Sequence, residues 1–261
     1  GMARPWWRFW GGDPPPVDPA AWQALVRRAP LIAGLEPARS ERLRRLTARF
    51  LDGKAITPVQ GLELDETDRL ALAAHACLPL LEAGTAALHG WSQVIVHPGA
   101  FRVEHGRHGT PWEFDTLEVV HEGSEDREGE SWERGPLVLS WADLAAEILE
   151  PEPGYQLVVH EMAHKLDGVD GVMDGTPLLP RAWQREWARD FGAAFEALNA
   201  RLDADPEAET PIDPYAAEAP EEFFAVCSEY HFTAPDLLRE AFPAVAAHLE
   251  RFYGPSPMAR R

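Results

Sequence analysis

Apolar residues recur at spacings of three and four through AAWQALVRRAP, ARSERLRRLTARFLDGK and DETDRLALAAHACLPLLEAG, which predicts helices from Pro19 to about Ala87. Asp65 or Thr67 is placed to cap the third of these and Gly84 to stop it. Between about Trp91 and Ser140 the period shortens. SQVIVHPGAF and TLEVVHEG are β-branched runs that read as strands, and EGSEDREGESWERG is an acidic, glycine-punctuated loop. PLVLSW, residues 136–141, is a further compact apolar run, leading into a helix capped by Ser140 with Asp143 in its first turn. Beyond it the pattern predicts a helix over 155–166, a Gly/Asp/Pro loop over 167–180 and a long helix through Trp183–Leu202. An acidic, proline-containing loop over 203–220 and two closing helices follow. Strands gathered between two sets of helices predict an α+β fold with a small mixed sheet. The expected division is one unit over 19–255, made of a helical lobe (19–90), a β-rich part (91–145) and a second helical part (146–255). Residues 1–18, tryptophan-rich then proline-rich, read as a tail or strap, and 256–261 as a tail.

Charge narrows the partners. The 24 basic and 43 acidic side chains leave a formal charge of −19, which opposes binding to a phosphate backbone or an anionic membrane. No apolar run reaches the roughly 18 residues of a membrane span. The start, GMARPWWRFWGG, lacks the apolar core of a signal peptide, so the cytoplasm is the expected compartment. Cys77 and Cys227 lie in apolar helical stretches and read as buried free thiols. Arginine supplies nearly all the basic charge; the only lysines are Lys54 and Lys165.

The chemistry is concentrated in QLVVHEMAHKLDG, which contains the HExxH pattern His160-Glu161-Met162-Ala163-His164. Four residues advance a helix by about 400°, so the two imidazoles point the same way one turn apart and can share a metal. Glu161 sits about 100° round, where its carboxylate can reach water at the metal without being a ligand. Two imidazoles suit Zn2+ and leave room for a third protein ligand. An extended motif with glycine and histidine three and six positions after His164 is ruled out, because Asp167 and Asp170 stand there. The remaining common solution is a glutamate from a later helix. Glu218, Glu221, Glu222 and Glu229 all qualify by chemistry, with the choice mainly between Glu221 and Glu222. Pro220 suits a first helical turn, and Phe223, Phe224 and Val226 give that helix an apolar docking surface.

HEMAHKLDG together with DPYAAEAPEEFFAVCSEYHF resembles the Mlc titration factor A family of zinc peptidases, which is similar around the metal to the anthrax lethal factor catalytic domain. VIVHPGAF, GPLVLSW and the overall length extend the resemblance from about residue 20 onward. In that family a tyrosine of the PYA segment precedes the zinc-ligating glutamate by seven positions. The resemblance therefore implies Glu222 as third ligand, Tyr215 as a transition-state residue, and a zincin-type metallopeptidase fold. It also implies aminopeptidase-type action on a peptide substrate in a bacterial cytoplasm. Capture of an Mlc-like transcriptional repressor of sugar-uptake genes is the second implied role, independent of hydrolysis. Thermolysin-like enzymes place an aspartate four residues after the glutamate ligand; Val226 stands there, so support for the histidines is expected from elsewhere, with Asp167 the candidate. PLVLSW is the expected edge strand against which a substrate backbone would lie. His97, His105, His108 and His121 read as loop histidines rather than a second metal site.

Overall fold

A computed structural model describes residues 12–99 and 134–259. The TLEVVHEG run, the acidic loop up to residue 133, and His105, His108 and His121 lie outside the described residues.

Proline opens many of the helices. α1 (Pro19–Arg28), α2 (Pro30–Ala33) and α3 (Pro37–Gly53) each start on one, as a fixed φ and a missing N–H suit the first helical position. Strand β1 (Ala55–Pro58) follows, inside the part read as wholly helical. Four residues ending in proline are too short a run to show a period. Helix α4 (Glu66–Cys77) is entered through a capping box, Asp65 accepting from the Asp68 amide and Asp68 from that of Asp65. Pro79 then breaks the chain into the short α5 (Leu80–Ala83). Strands β2 (Gln93–His97) and β3 (Leu137–Ser140) complete the sheet.

The strand order is β1-β2-β3 and both pairings are parallel, so among the described residues the sheet is parallel rather than mixed. The physical reason lies in β1: the crossover through α4 and α5 returns the chain to the same end of the sheet before β2 begins. Val94, Val96, Leu137 and Leu139 are buried. β3 leads straight into α6 (Trp141–Leu149), where Ser140 Oγ accepts from the Asp143 amide as expected.

The remaining helices are α7 (Leu157–Asp167), α8 (Arg181–Ala204), α9 (Pro220–Thr233), α10 (Pro235–Ala241) and α11 (Pro243–Tyr253). The two closing helices expected from periodicity are three, because Pro235 and Pro243 each remove a backbone donor and restart the chain. α7 is buried along its whole length, packed against α9, α4, α6 and β3. α9 docks through Phe223 and Phe224 into an aromatic cluster with Trp187 and Phe191 of α8 and Phe252 and Tyr253 of α11. Lys54 and Lys165 meet on one ring, their ammonium groups 3.7 and 4.9 Å from the centre of Trp91.

Neither end is loose where it is described. Val17 is buried and its carbonyl accepts from Arg44, while Ser256 and Pro257 pack down beside Gly34. Cys77 and Cys227 are buried free thiols. Among the described residues no helix is long and apolar enough to cross a membrane.

Candidate metal centre

The HExxH helix is held antiparallel to α9 by the loops at its two ends, each with a glycine pressed on α9. At the entrance, Gly154 has φ +81°, and a methyl group there would fall 2.6 Å from the Tyr230 ring. Its amide donates to Thr233 Oγ1 at 2.9 Å. At the exit, Gly175 also has φ +81°, and a Cβ would fall 2.7 Å from the Pro220 carbonyl carbon. Both positions combine a left-handed backbone with close approach, which only glycine supplies cheaply.

Between these clamps the start of α7 lacks a side-chain cap of its own, Gln156 providing none. Buried carboxylates from other helices replace it. Glu147 of α6 accepts from the Leu157 amide at 2.7 Å, and Glu229 of α9 accepts from the Gln156 amide at 2.8 Å. A negative charge at this end of a helix satisfies orphan donors and the helix dipole together.

One turn into α7 stand the two imidazoles, ring centres 4.9 Å apart and edge to face. The His160 Nε2 lies 3.0 Å from one Glu222 oxygen and the His164 Nε2 lies 3.3 Å from the other. Ligand atoms bound about 2.0–2.1 Å from one ion would be separated by roughly 3.3–3.4 Å, so each imidazole stands about as far from the carboxylate as two ligands of one ion would, and one ligand atom from each of the three residues lies within 4.8 Å of the others. The satisfaction of the atoms points the same way. Neither His164 nitrogen has a hydrogen-bond partner among the described residues, and Glu222 Oε2 meets no donor in hydrogen-bond geometry, although all are buried. Unpaired buried polar atoms are costly, and a cation would satisfy them at once. The three side chains fit a divalent metal. They are the one such group among the described residues.

Electrostatics agrees with the distances. Burial alone would disfavour a charged His160, but the Glu229 and Glu222 carboxylates on either side overcome it and raise the ring to about 10. Burial likewise opposes a charged Glu222, yet the two imidazoles hold its carboxyl far below the usual range. A pocket that draws a proton this strongly is one that attracts a cation.

The other expected residues fall nearby. Glu161 is buried beside His160. Tyr215 lies on a 3-10 turn, Pro214–Ala217, its ring centre 6.3 Å from that of His160. Asp213 aims this turn, accepting from the Tyr215 amide at 2.9 Å while its own amide donates to the Tyr230 hydroxyl at 3.1 Å. Between the two favoured glutamates, Glu222 is the one that meets the imidazoles, and Glu221 is absent from the cluster.

Support for the histidines differs from expectation. Glu229, not Asp167, receives the His160 Nδ1 hydrogen bond at 2.6 Å. Asp167 is buried, but its two oxygens accept from the Asp174 and Gly175 amides at 3.2 and 2.8 Å, so it pins the exit loop against Pro220. The signal for Glu229 in the sequence is its spacing alone, since seven residues after Glu222 return to the same face of a helix; its burial is seen only in the fold.

The chain belongs to the peptidase M90 family, the glucose-regulated metallo-peptidases, whose profile matches residues 6–254. It is similar to the Mlc titration factor A of Cronobacter sakazakii, at 38% identity over 245 residues that cover 94% of this chain and 89% of that protein. The protein of the same name from Escherichia fergusonii is 36% identical over 255 residues, covering 97% and 93%. That from Klebsiella pneumoniae is 38% identical over 239 residues, covering 91% and 86%.

Proposed function

We propose that the chain is a zinc-dependent peptidase of the gluzincin type, acting as an aminopeptidase, with His160, His164 and Glu222 as ligands, Glu161 as general base and Tyr215 as oxyanion donor. The single observation that supports it best is the convergence of the two imidazoles and Glu222 at 3.0 and 3.3 Å. A zinc ion held there supplies Lewis acidity toward a carbonyl and lowers the pKa of water toward ~7. Two neutral imidazoles and one carboxylate keep a net positive charge at the centre, which favours that acidity. Glu161 takes the proton of the attacking water and delivers it to the leaving amine. Tyr215 donates its phenol hydrogen to the carbonyl oxygen as negative charge develops there. β3, at one end of the described strands, offers a row of backbone groups along which a peptide substrate can pair.

The test is metal analysis of the purified protein with a panel of aminoacyl chromogenic substrates, with and without chelator. About one zinc per chain and turnover that chelator removes and zinc restores are expected of a catalytic site with three protein ligands and an open fourth position. Absence of bound metal, or hydrolysis indifferent to chelator, would overturn the reading.

The relatives' name, Mlc titration factor A, favours a second role, capture of an Mlc-like repressor. The two roles separate cleanly, since Glu161→Gln removes the base without altering the outer surface. A pull-down with a purified repressor should give equal capture by wild type and Glu161→Gln; no capture by either would end this role.

A further inference from the structure

We propose that Glu229 is the positioning residue of the metal centre, a buried carboxylate that fixes both the tautomer and the aim of His160. The inference goes one step beyond the metal-site reading and rests on it, since it treats His160 as a ligand.

Glu229 has no solvent exposure, an unusual place for a carboxylate. One of its oxygens takes the His160 Nδ1 hydrogen at 2.6 Å and the other takes the Gln156 amide at 2.8 Å. The Gln156 carbonyl in turn accepts from the His160 amide at 3.0 Å. The ring of His160 and the first turn of its helix are thus fastened to one side chain of α9. With its hydrogen on Nδ1, the neutral ring carries its lone pair on Nε2, the nitrogen 3.0 Å from Glu222. A carboxylate bonded to the far nitrogen of a ligating imidazole sets the tautomer and raises the basicity of the near one.

Only a carboxylate can do both jobs. Each oxygen of Glu229 faces a donor, and a glutamine has a single acceptor oxygen. If its oxygen keeps the Gln156 amide, its NH2 faces Nδ1 and forces the hydrogen onto Nε2, where it blocks ligation. If the amide turns over, two donors oppose each other at the helix start. A purely structural cap behaves differently, because a glutamine can still serve the backbone amide. Glu147 is the comparison, a buried acid that accepts from the next amide of the same helix start.

The experiment measures zinc affinity by chelator competition for wild type, Glu229→Gln and Glu147→Gln, with the thermal midpoint of each metal-free protein alongside. Glu229→Gln is expected to weaken zinc by about 10–100-fold, while Glu147→Gln lowers the midpoint and leaves zinc affinity unchanged. Wild-type affinity in Glu229→Gln would overturn the proposal and leave the metal site intact. A wild-type protein that takes up no zinc would overturn the metal-site reading, and the proposal with it. Should Glu229→Gln fail to fold, 1H–15N spectra of the zinc-loaded wild type decide: a far-downfield, slowly exchanging His160 Nδ1 hydrogen marks its bond to a buried carboxylate and supports the assignment, and a freely exchanging one refutes it.

Discussion

Glu222 and Glu229 stand two turns apart on one face of α9, because seven residues amount to about 700° of helix, and the His160 ring fills the interval between them. Its two nitrogens lie 3.0 Å from the first carboxylate and 2.6 Å from the second. Val226, one turn after Glu222, is fully buried and takes the place where a thermolysin-like aspartate would stand. The acid bonded to His160 stands about one turn further along the helix.

Glu222→Gln should nearly abolish metal retention. The amide keeps the shape but removes the negative charge, and with it the attraction that both imidazoles register. Zinc affinity measured by chelator competition should fall by more than about 100-fold, beyond the range for supporting residues. Affinity within tenfold of wild type would assign the third ligand elsewhere.

Glu161→Gln and Tyr215→Phe should separate binding from turnover. Both leave the three metal-facing side chains in place, so metal content should match wild type. Loss of the general base is expected to cost about 10²–10⁴ in kcat, and loss of the phenol about 10²–10³. Full activity in Tyr215→Phe would remove that residue from the chemistry despite its 6.3 Å ring separation from His160.

Gly175→Ala and Gly171→Ala form a matched pair. Both glycines have positive φ, +81° and +87°, and alanine in that region costs about 1–2 kcal/mol. Nothing lies within 4 Å of a Cβ at Gly171, whereas one at Gly175 strikes the Pro220 backbone. Gly171→Ala should therefore show the backbone cost alone in denaturant unfolding. Gly175→Ala should lose more stability and also weaken zinc, because Pro220 begins the turn that carries Glu222. Equal losses in the two variants would mean that the exit loop does not position α9.

Acid should destabilise the fold below about pH 6.5. His75 and His231 are buried, and burial lowers them to about 4 and about 3 from an ordinary 6.5. The unfolded chain binds their protons first, so the stability present above pH 6.5 is lost as pH falls toward those values. Asp167 acts oppositely. Burial raises it to about 6 from 3.8, so its stabilisation is present in acid and lost as pH rises through 6. At about 1.4 kcal/mol per unit, the two histidines outweigh the one aspartate. Thermal midpoints between pH 7 and 4 should fall steeply in wild type and less in His75→Leu and His231→Leu; parallel slopes in all three would place the acid sensitivity elsewhere.

Much of this protein was legible in residue order alone. Helical periodicity located most of the helices, and the spacing of His160 and His164 made a shared metal a consequence of helix geometry. Capping chemistry at Asp65 and Ser140 depends on residues three apart, so the chain by itself determines it. Four residues of β1 carried no period, and the prolines that split the closing segment into α9, α10 and α11 interrupt a pattern that otherwise reads as continuous.

What the sequence determined by itself was local: which stretches coil, where they stop, and which side chains a single helix brings together. The approach of Glu222 to both imidazoles, which spacing alone left open between it and Glu221 and the family resemblance implied, joins the partnership of His160 with Glu229 and the use of Asp167 as a loop anchor as relationships that only tertiary structure displays. The first two join residues tens of positions apart, and their distances depend on how α7 and α9 pack through Gly154 and Gly175; the third joins residues seven and eight apart across a loop that has no period to read. Neighbouring glutamates have the same chemistry in a sequence, and only the packed fold gives one of them two imidazoles to face.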